Sequence, residues 1–405
     1  MRLSTSSIYE AGTARMSDLQ SSLVKTQQQI STGRRILTPA DDPLAAAAAL
    51  SLTQAQTLNE QYATNRGSAK DLLRQEEGVL QGLTNLVQDV KTLTIGAGNV
   101  SYDDNQRKSL ATELRGRFDE LLGMSNTRDG AGNYLFSGYQ TTVQPFTQTV
   151  TGVQYNGDQG QRLMQVSASR NMALGDTGEA VFQGNSKTGN GTFVTAAPLT
   201  NTGSGVVSTG TVTNSTLLTG HDYNITFTTV AGAMTYDIFD NTAGAAVPPA
   251  SVPYVSGQAI MFDGMQFDVT GSPLDGDQFT VKPSTNQSLF QTIDDLITAL
   301  NTPASGDVGQ AKLNNALTTA NNNFGHALDN VLTIRASVGS RLKELDTLDS
   351  TGEDQALQYA ETLDDLQGLD YPKAITQLTQ QQAILQAAQQ SFLKITGLSL
   401  FNYLN

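Results

Sequence analysis

Hydrophobic positions near the two ends of the chain recur with a helical period, and those in the middle alternate as strands do. Met16, Leu19, Leu23 and Ile30 are spaced three, four and seven apart, one stripe of an a/d pattern. The stripe stops at Gly33, with Arg34 and Arg35 beside it, which predicts a helix C-terminus, and Thr38-Pro39 then breaks the chain. Asp42-Pro43 predicts a fresh start, with Asp42 as N-cap and Pro43 at the first helical position, where its missing N–H costs nothing. From there a helix is expected to about Ala97, with Leu72, Val79, Leu83, Leu86, Val90 and Leu93 along its seam. At about 1.5 Å per residue such a helix extends roughly 80 Å, a length that belongs to a coiled coil or rod. Gly96 to Asn105 reads as a turn, and a third helix carries Leu110, Leu114, Phe118 and Leu121.

From Tyr134 to about Gln287 the chain turns to Gly, Thr, Asn, Val and Ser. Tyr223 to Thr228 alternates with period two, and so does Met265 to Val269, which is entered through the hairpin dipeptide Asp263-Gly264. Asp275-Gly276-Asp277 is another turn, followed by Phe279 and Val281 on a strand. This stretch predicts one β-rich domain or two small ones. Helix resumes near Ser288 with Phe290, Ile293, Ile297 and Leu300 on one face. A longer helix follows, with Leu313, Leu317, Ala320, Phe324, Leu328, Val331, Val338, Leu342, Leu345 and Leu348. After Pro372 come the most regular heptads: Ala374, Leu378, Gln381, Leu385, Ala388, Phe392 and Ile395. The expected fold is α+β. A long antiparallel coiled-coil rod is built from both terminal regions, because neither half buries its stripe alone, and a β-rich domain is inserted in the middle. The boundaries expected are 1–40 with 371–405 for the terminal helices, 41–133 with 288–370 for the rod, and 134–287 for the β-rich domain.

Charge sharpens this picture. The 405 residues carry a formal net charge of -14, which argues against non-specific nucleic-acid binding. Residues 1–40 are nonetheless net basic, and residues 371–405 hold Lys373 and Lys394 with no acidic side chain. The last helix thus shows Gln, Ser and Thr where a solvated helix usually carries Lys and Glu. Depletion of charge is the mark of helices packed on several sides, so burial against neighbouring subunits is the preferred reading; a two-stranded coiled coil with an uncharged back is the other. No apolar run approaches the roughly 20 residues that span a bilayer, and the N-terminus has no apolar h-region of a cleavable signal.

The sequence offers no reaction centre. It contains no cysteine, which removes disulfides and thiolate metal sites, and its two histidines, His221 and His326, have no ligand-like spacing. Asp41-Asp42, Asp103-Asp104, Glu353-Asp354 and Asp364-Asp365 are adjacent carboxylates, which on a helix do not face one site and read as caps or solvated positions. Gly157-Asp158-Gln159-Gly160 and Gly189-Asn190-Gly191 lack the strand–turn–helix frame of a phosphate loop, and 263–277 lacks the spacing of a calcium loop. The expectation is a protein that is not an enzyme and holds neither cofactor nor metal.

Ile30-Ser31-Thr32-Gly33-Arg34-Arg35-Ile36-Leu37-Thr38-Pro39-Ala40-Asp41-Asp42-Pro43 resembles the N-terminal signature of the flagellar hook-associated protein 3 (FlgL) family, a branch of the flagellin superfamily. Asn133 to Gly138 and Gln390 to Leu404 resemble that branch more than flagellin, and Arg335 to Arg341 fits both. The likeness covers about 1–183 and 285–405, and 184–284 matches only in character. It implies a secreted structural subunit of the bacterial flagellum, exported through the flagellar type III apparatus without a cleaved signal. Such a subunit forms a ring of copies between hook-associated protein 1 and the flagellin filament, and an export chaperone often holds its C-terminal helix. Joined to the residue patterns, it implies terminal helices that are disordered in the free subunit and fold on assembly. The β domain then faces outward and tunes solubility, so that deleting about 184–284 leaves assembly largely intact. A flagellin filament subunit, and a surface adhesin or binding module working through the β domain, are the alternatives.

Overall fold

The computed structural model of the chain describes residues 5–150, 152–184 and 186–401. Three helices come first, α1 (Thr5–Thr32), α2 (Pro43–Ala97) and α3 (Asp104–Ser125). Strands β1 (Phe146–Thr149), β2 (Gly152–Tyr155), β3 (Leu163–Ser167) and β4 (Arg170–Ala173) follow, then a π-helical turn at Glu179–Gln183. The β-rich part continues with β5 (Phe193–Ala196), β6 (Val206–Val207), β7 (Thr211–Val212), β8 (Tyr223–Val230), β9 (Ala233–Asp240) and β10 (Ala245–Pro253). It closes with β11 (Ala259–Phe262), β12 (Met265–Thr270) and β13 (Gln278–Pro283), and the chain returns to helix in α4 (Leu289–Asn301), α5 (Gly306–Gln367) and α6 (Tyr371–Phe401). The order is that of an α+β protein with long helices at both ends and a β-rich middle.

Local chemistry accounts for the main boundaries. Gly33 takes φ +68 and ends α1. The Asp42 carboxylate accepts the Ala45 N–H at 3.1 Å and caps α2. Asp103 and Gln106 close a capping box on α3, and Ser288 caps α4. One difference from expectation lies in α5, which runs on to Gln367 beyond the last apolar heptad position near Leu348. Residues 349–367 contain no proline to stop it, and their polarity hides a helix that is mostly exposed.

The chain divides into two units, each described by itself: residues up to Thr64 with those from Thr347, and Asn65–Asp346. In the first, α1 and α6 run antiparallel, with Gly33 beside Tyr371 near one end and Gly12 beside Phe392 near the other. Asn59 of α2, buried, donates to the Gly352 carbonyl of α5 at 2.7 Å. In the second unit, buried Ala69, Leu73, Leu80, Leu83, Val87, Val90 and Ala97 of α2 form a heptad seam. Leu313, Leu317, Ala320, Phe324, Ala327, Val331, Val338 and Leu345 form the matching stripe of α5. Arg335 of α5 reaches back to Glu77 at 2.6 Å, and Lys70 pairs with Asp346 at 2.7 Å, so these helices are antiparallel as well.

The β-rich part holds two larger sheets. One has the order β10-β9-β8-β13-β5, and the other β11-β12-β6 with β7 also on β12; the recorded pairings in both are antiparallel. Their inner faces share one core that includes Tyr223, Ile225, Phe227, Phe267, Val269, Phe279 and Val281. The alternation at 223–228 and 265–269 therefore marks the inward residues, and Asp263-Gly264, at φ 44 and 75, forms the tight turn between β11 and β12. A second apolar centre lies beneath the hairpins, where Phe146 stacks within 5.1–5.4 Å of Tyr155, Phe182 and Phe290.

Candidate assembly surface on the paired terminal helices

Among the described side chains of α6, only Ala374, Leu378, Gln381, Leu385, Ala388 and Phe392 escape full exposure. Ala374 is buried and the other five are half-buried. The side chain of Ile395, the next position of this stripe, lies outside the described ones. On α1 the positions turned inward are Gly12, Met16, Leu19, Leu23, Thr26, Gln29 and Ile30, of which only Thr26 is buried. Thr26 fills the heptad gap between Leu23 and Ile30, and its hydroxyl donates to the Ser22 carbonyl at 3.0 Å, which lets a polar residue sit there. Gly12 is required by closeness: a Cβ at that position would come 3.0 Å from the Phe392 ring, which also stacks on Tyr9 at 5.1 Å. Gly12, Thr26 and Tyr9 were not among the positions that periodicity singled out, because none is a Leu-type marker.

The pair is thin. Each helix buries one narrow stripe, and the seam holds an unanswered polar atom, since Gln381 Oε1 is buried without a hydrogen-bond partner. Outside the stripe stand Val24, Ile375, Ile384 and Leu393, between 44% and 69% exposed. Among described residues α6 has no carboxylate. Exposed apolar groups thus stand on this helix pair, and on α6 no carboxylate accompanies them.

The other end of this unit is held firmly. The Asp41 carboxylate accepts the backbone N–H groups of Leu37 and Thr38, both at 3.0 Å, and pairs with Lys25 at 2.5 Å. The Lys25 ammonium, with those two N–H groups, holds the Asp41 carboxyl well below the usual carboxylate range. Arg35 donates from its backbone to the Gln367 carbonyl at 2.7 Å and from its guanidinium to that of Leu366 at 2.9 Å, while Leu369 N–H reaches Gly33 at 3.1 Å. The segment 33–42 is thus a corner that ties α1 to the α5–α6 turn.

In the second unit the positions expected in a helical core fall as follows. Leu83, Leu86, Val90, Leu313, Leu317, Phe324, Val338 and Leu345 are buried, and Leu72, Val79, Leu93, Leu328 and Leu342 are half-buried. Leu73 and Leu80, one residue on from Leu72 and Val79, take the deepest places. The heptad there passes through polar Arg66, Glu76 and Thr94, which a search for apolar markers steps over. No group of three or more metal-ligating side chains, and no helix long and apolar enough to cross a membrane, occurs among the described residues.

Comparison with known proteins gives this geometry a context. The family model of the bacterial flagellin N-terminal helical region matches residues 3–141. The D2-like domain model of flagellar hook-associated protein 1 matches 197–283, within the stretch whose family likeness was one of character only. The flagellar hook-associated protein 3 of Salmonella typhimurium is 32% identical over 402 residues, 99% of each chain. That of Escherichia coli is 30% identical over the same length and share. Among solved structures, the flagellar hook-associated protein 3 of Legionella pneumophila superposes with a TM-score of 0.75 at 34% identity, covering 78% of this chain and 98% of its own. The Xanthomonas campestris FlgL superposes at 0.72 and 28%, covering 77% and 99%.

Proposed function

This chain belongs to the flagellar hook-associated protein 3 family, and from that premise we propose that it is a structural subunit of the bacterial flagellum, not an enzyme, that joins the hook to the flagellin filament. The observation that carries the reading is the α1–α6 pair, which buries one narrow stripe and leaves apolar, charge-poor flanks. A helix pair of this kind gains little alone. Ordering costs about 1–2 kcal/mol per residue in backbone entropy, against roughly 1.5–3 kcal/mol for each fully buried Leu or Ile. Neighbouring copies add burial to helices already ordered, so assembly and terminal order reinforce one another.

Residues 1–40 and 371–405 then do the polymerising, with Met16, Leu19, Leu23, Ile30, Ala374, Leu378, Gln381, Leu385, Ala388, Phe392 and Ile395 as the seam. Residues 41–133 and 288–370 support them, and 134–287 faces outward. The partners are further copies of the chain in a ring, hook-associated protein 1 on one side and flagellin on the other, with an export chaperone before assembly. The protein works outside the cell at the hook–filament junction. The test is a strain whose own copy is replaced by Leu19→Asp with Leu385→Asp. Hooks remain, and flagellin accumulates unattached in the medium. Filaments that stay attached on electron micrographs, with the variant present at normal amounts, overturn the reading.

A further inference from the structure

The second unit sets a buried and a half-buried carboxylate around one half-buried guanidinium. Glu76, on the α2 seam, is 2% exposed. Its Oε1 accepts the backbone N–H of Asp176 at 2.9 Å, and its Oε2 is buried with no partner. Asp176 lies in the loop after β4; its side chain takes Arg341 of α5 on one oxygen and Gln161 on the other at 3.1 Å. Arg341 also donates to the Ala173 carbonyl at 3.4 Å, while its Nε is buried and unused. The flanking charges are committed elsewhere: Glu77 to Arg335 at 2.6 Å, Lys70 to Asp346 at 2.7 Å, and Arg170 to Glu344 at 2.6 Å. The charged groups that bear on Glu76 are therefore Asp176 from the loop and Arg341 from α5.

With both carboxylates ionised, this pocket would hold one negative charge more than its single guanidinium answers, and the Glu76 carboxylate would carry its own charge closed off from water. A buried ion left so is costly, and the group takes up a proton instead. A proton on Oε2 turns the orphaned atom into a donor, with the Asp176 carboxylate as the acceptor at hand. We propose that Glu76 is protonated in the folded protein at neutral pH and that this proton, held between Glu76 and Asp176, clasps the 163–178 segment onto α2 and α5 with a grip that weakens as pH rises. Burial first, and then the negative charge of Asp176, push the Glu76 carboxyl up to about 8.

The sign follows. The clasped state binds a proton that the opened state, with Glu76 in water, gives up above its ordinary value of 4.5. The clasp is complete below that value, weakens as pH rises, and weakens no further above the folded value. The expected signature is steep. In hydrogen exchange of the full chain, corrected for base catalysis, protection of amides 163–178 falls about tenfold per pH unit between 5.5 and 7.5, and α3 amides at 104–125 show no such fall. Glu76→Gln, which supplies a donor at every pH, flattens the profile. A pH-independent profile in the wild type, or the same slope in Glu76→Gln, overturns the proposal. Should that variant not fold, carbon-13 labelling of glutamate decides on the wild type: one carboxyl titrating above 7 supports the clasp, and none above 6 rejects it.

Discussion

The aromatic centre of the second unit and the seam of the first are both apolar contacts between elements far apart in sequence, yet they are built to different standards. Phe146, Phe182 and Phe290 are no more than 1% exposed and stack edge-on or tilted within 6.2 Å of one another. Leu19, Leu23, Leu378, Leu385 and Phe392 are only half-buried, and a glutamine oxygen is stranded between them. The first is a core closed within one chain. The second has the spacing of a core without its depth, which agrees with the proposal that further copies of the chain cover it. A contact's sequence pattern thus tells which residues meet, and its burial tells whether the chain alone completes the contact.

The sharpest way to break this contrast is truncation on each side. Phe146→Ala removes a fully buried ring shared by Tyr155, Phe182 and Phe290, and should cost about 3–5 kcal/mol in urea unfolding of the free chain. Leu385→Ala, at a half-buried place, should cost about 1 kcal/mol or less there and yet abolish attachment of filaments. Similar stability losses for the two would mean that the terminal seam is a finished core.

A smaller effect, opposite in sign, tests the stranded amide. Gln381→Leu removes a buried oxygen that has no partner and should stabilise the pair by about 1 kcal/mol. In hydrogen exchange of the free chain, amides 374–394 should be weakly protected in the wild type and about fivefold better protected in the variant. Strong protection in the wild type would show that the pair is ordered without neighbours.

These contrasts also mark how far the sequence could be read. Helix boundaries were legible because they are local: Asp42-Pro43, Gly33 and Ser288 carry their own hydrogen-bonding or φ requirement. The strand faces of β8 and β12 were legible for the same reason, since period-two alternation survives in any surroundings. The helical seam of the second unit was legible only to within one residue, because Leu72 and Leu73, like Val79 and Leu80, are adjacent and a straight helix lets either face inward. Polar seam members such as Thr26, Arg66 and Glu76 were not legible at all. Each is satisfied, or in the case of Glu76 half satisfied, by a partner that only the folded chain supplies, from Ser22 at four residues to Val166 and Asp176 at one hundred.

The smallest predicted effect concerns the corner that ties α1 to the α5–α6 turn through polar contacts. Asp41 is ionised there and held by Lys25 and by the Leu37 and Thr38 N–H groups, so its native carboxyl titrates below its ordinary value of 3.8. A depressed acid contributes stability that is present above the unfolded value and is lost as pH falls toward the folded one. The corner should therefore hold unchanged from neutral pH to about 4 and loosen only below it, the reverse of the loosening with rising pH expected at Glu76. Asp41→Asn removes the charge and one of the acceptor oxygens, so exchange of amides 36–38 should quicken several-fold at pH 6, while the variant shows no further loosening on acidification. If wild type and variant exchange alike at pH 6, the 33–42 corner is set by the Arg35, Leu369 and Gly33 backbone bonds alone, and Asp41 only decorates it.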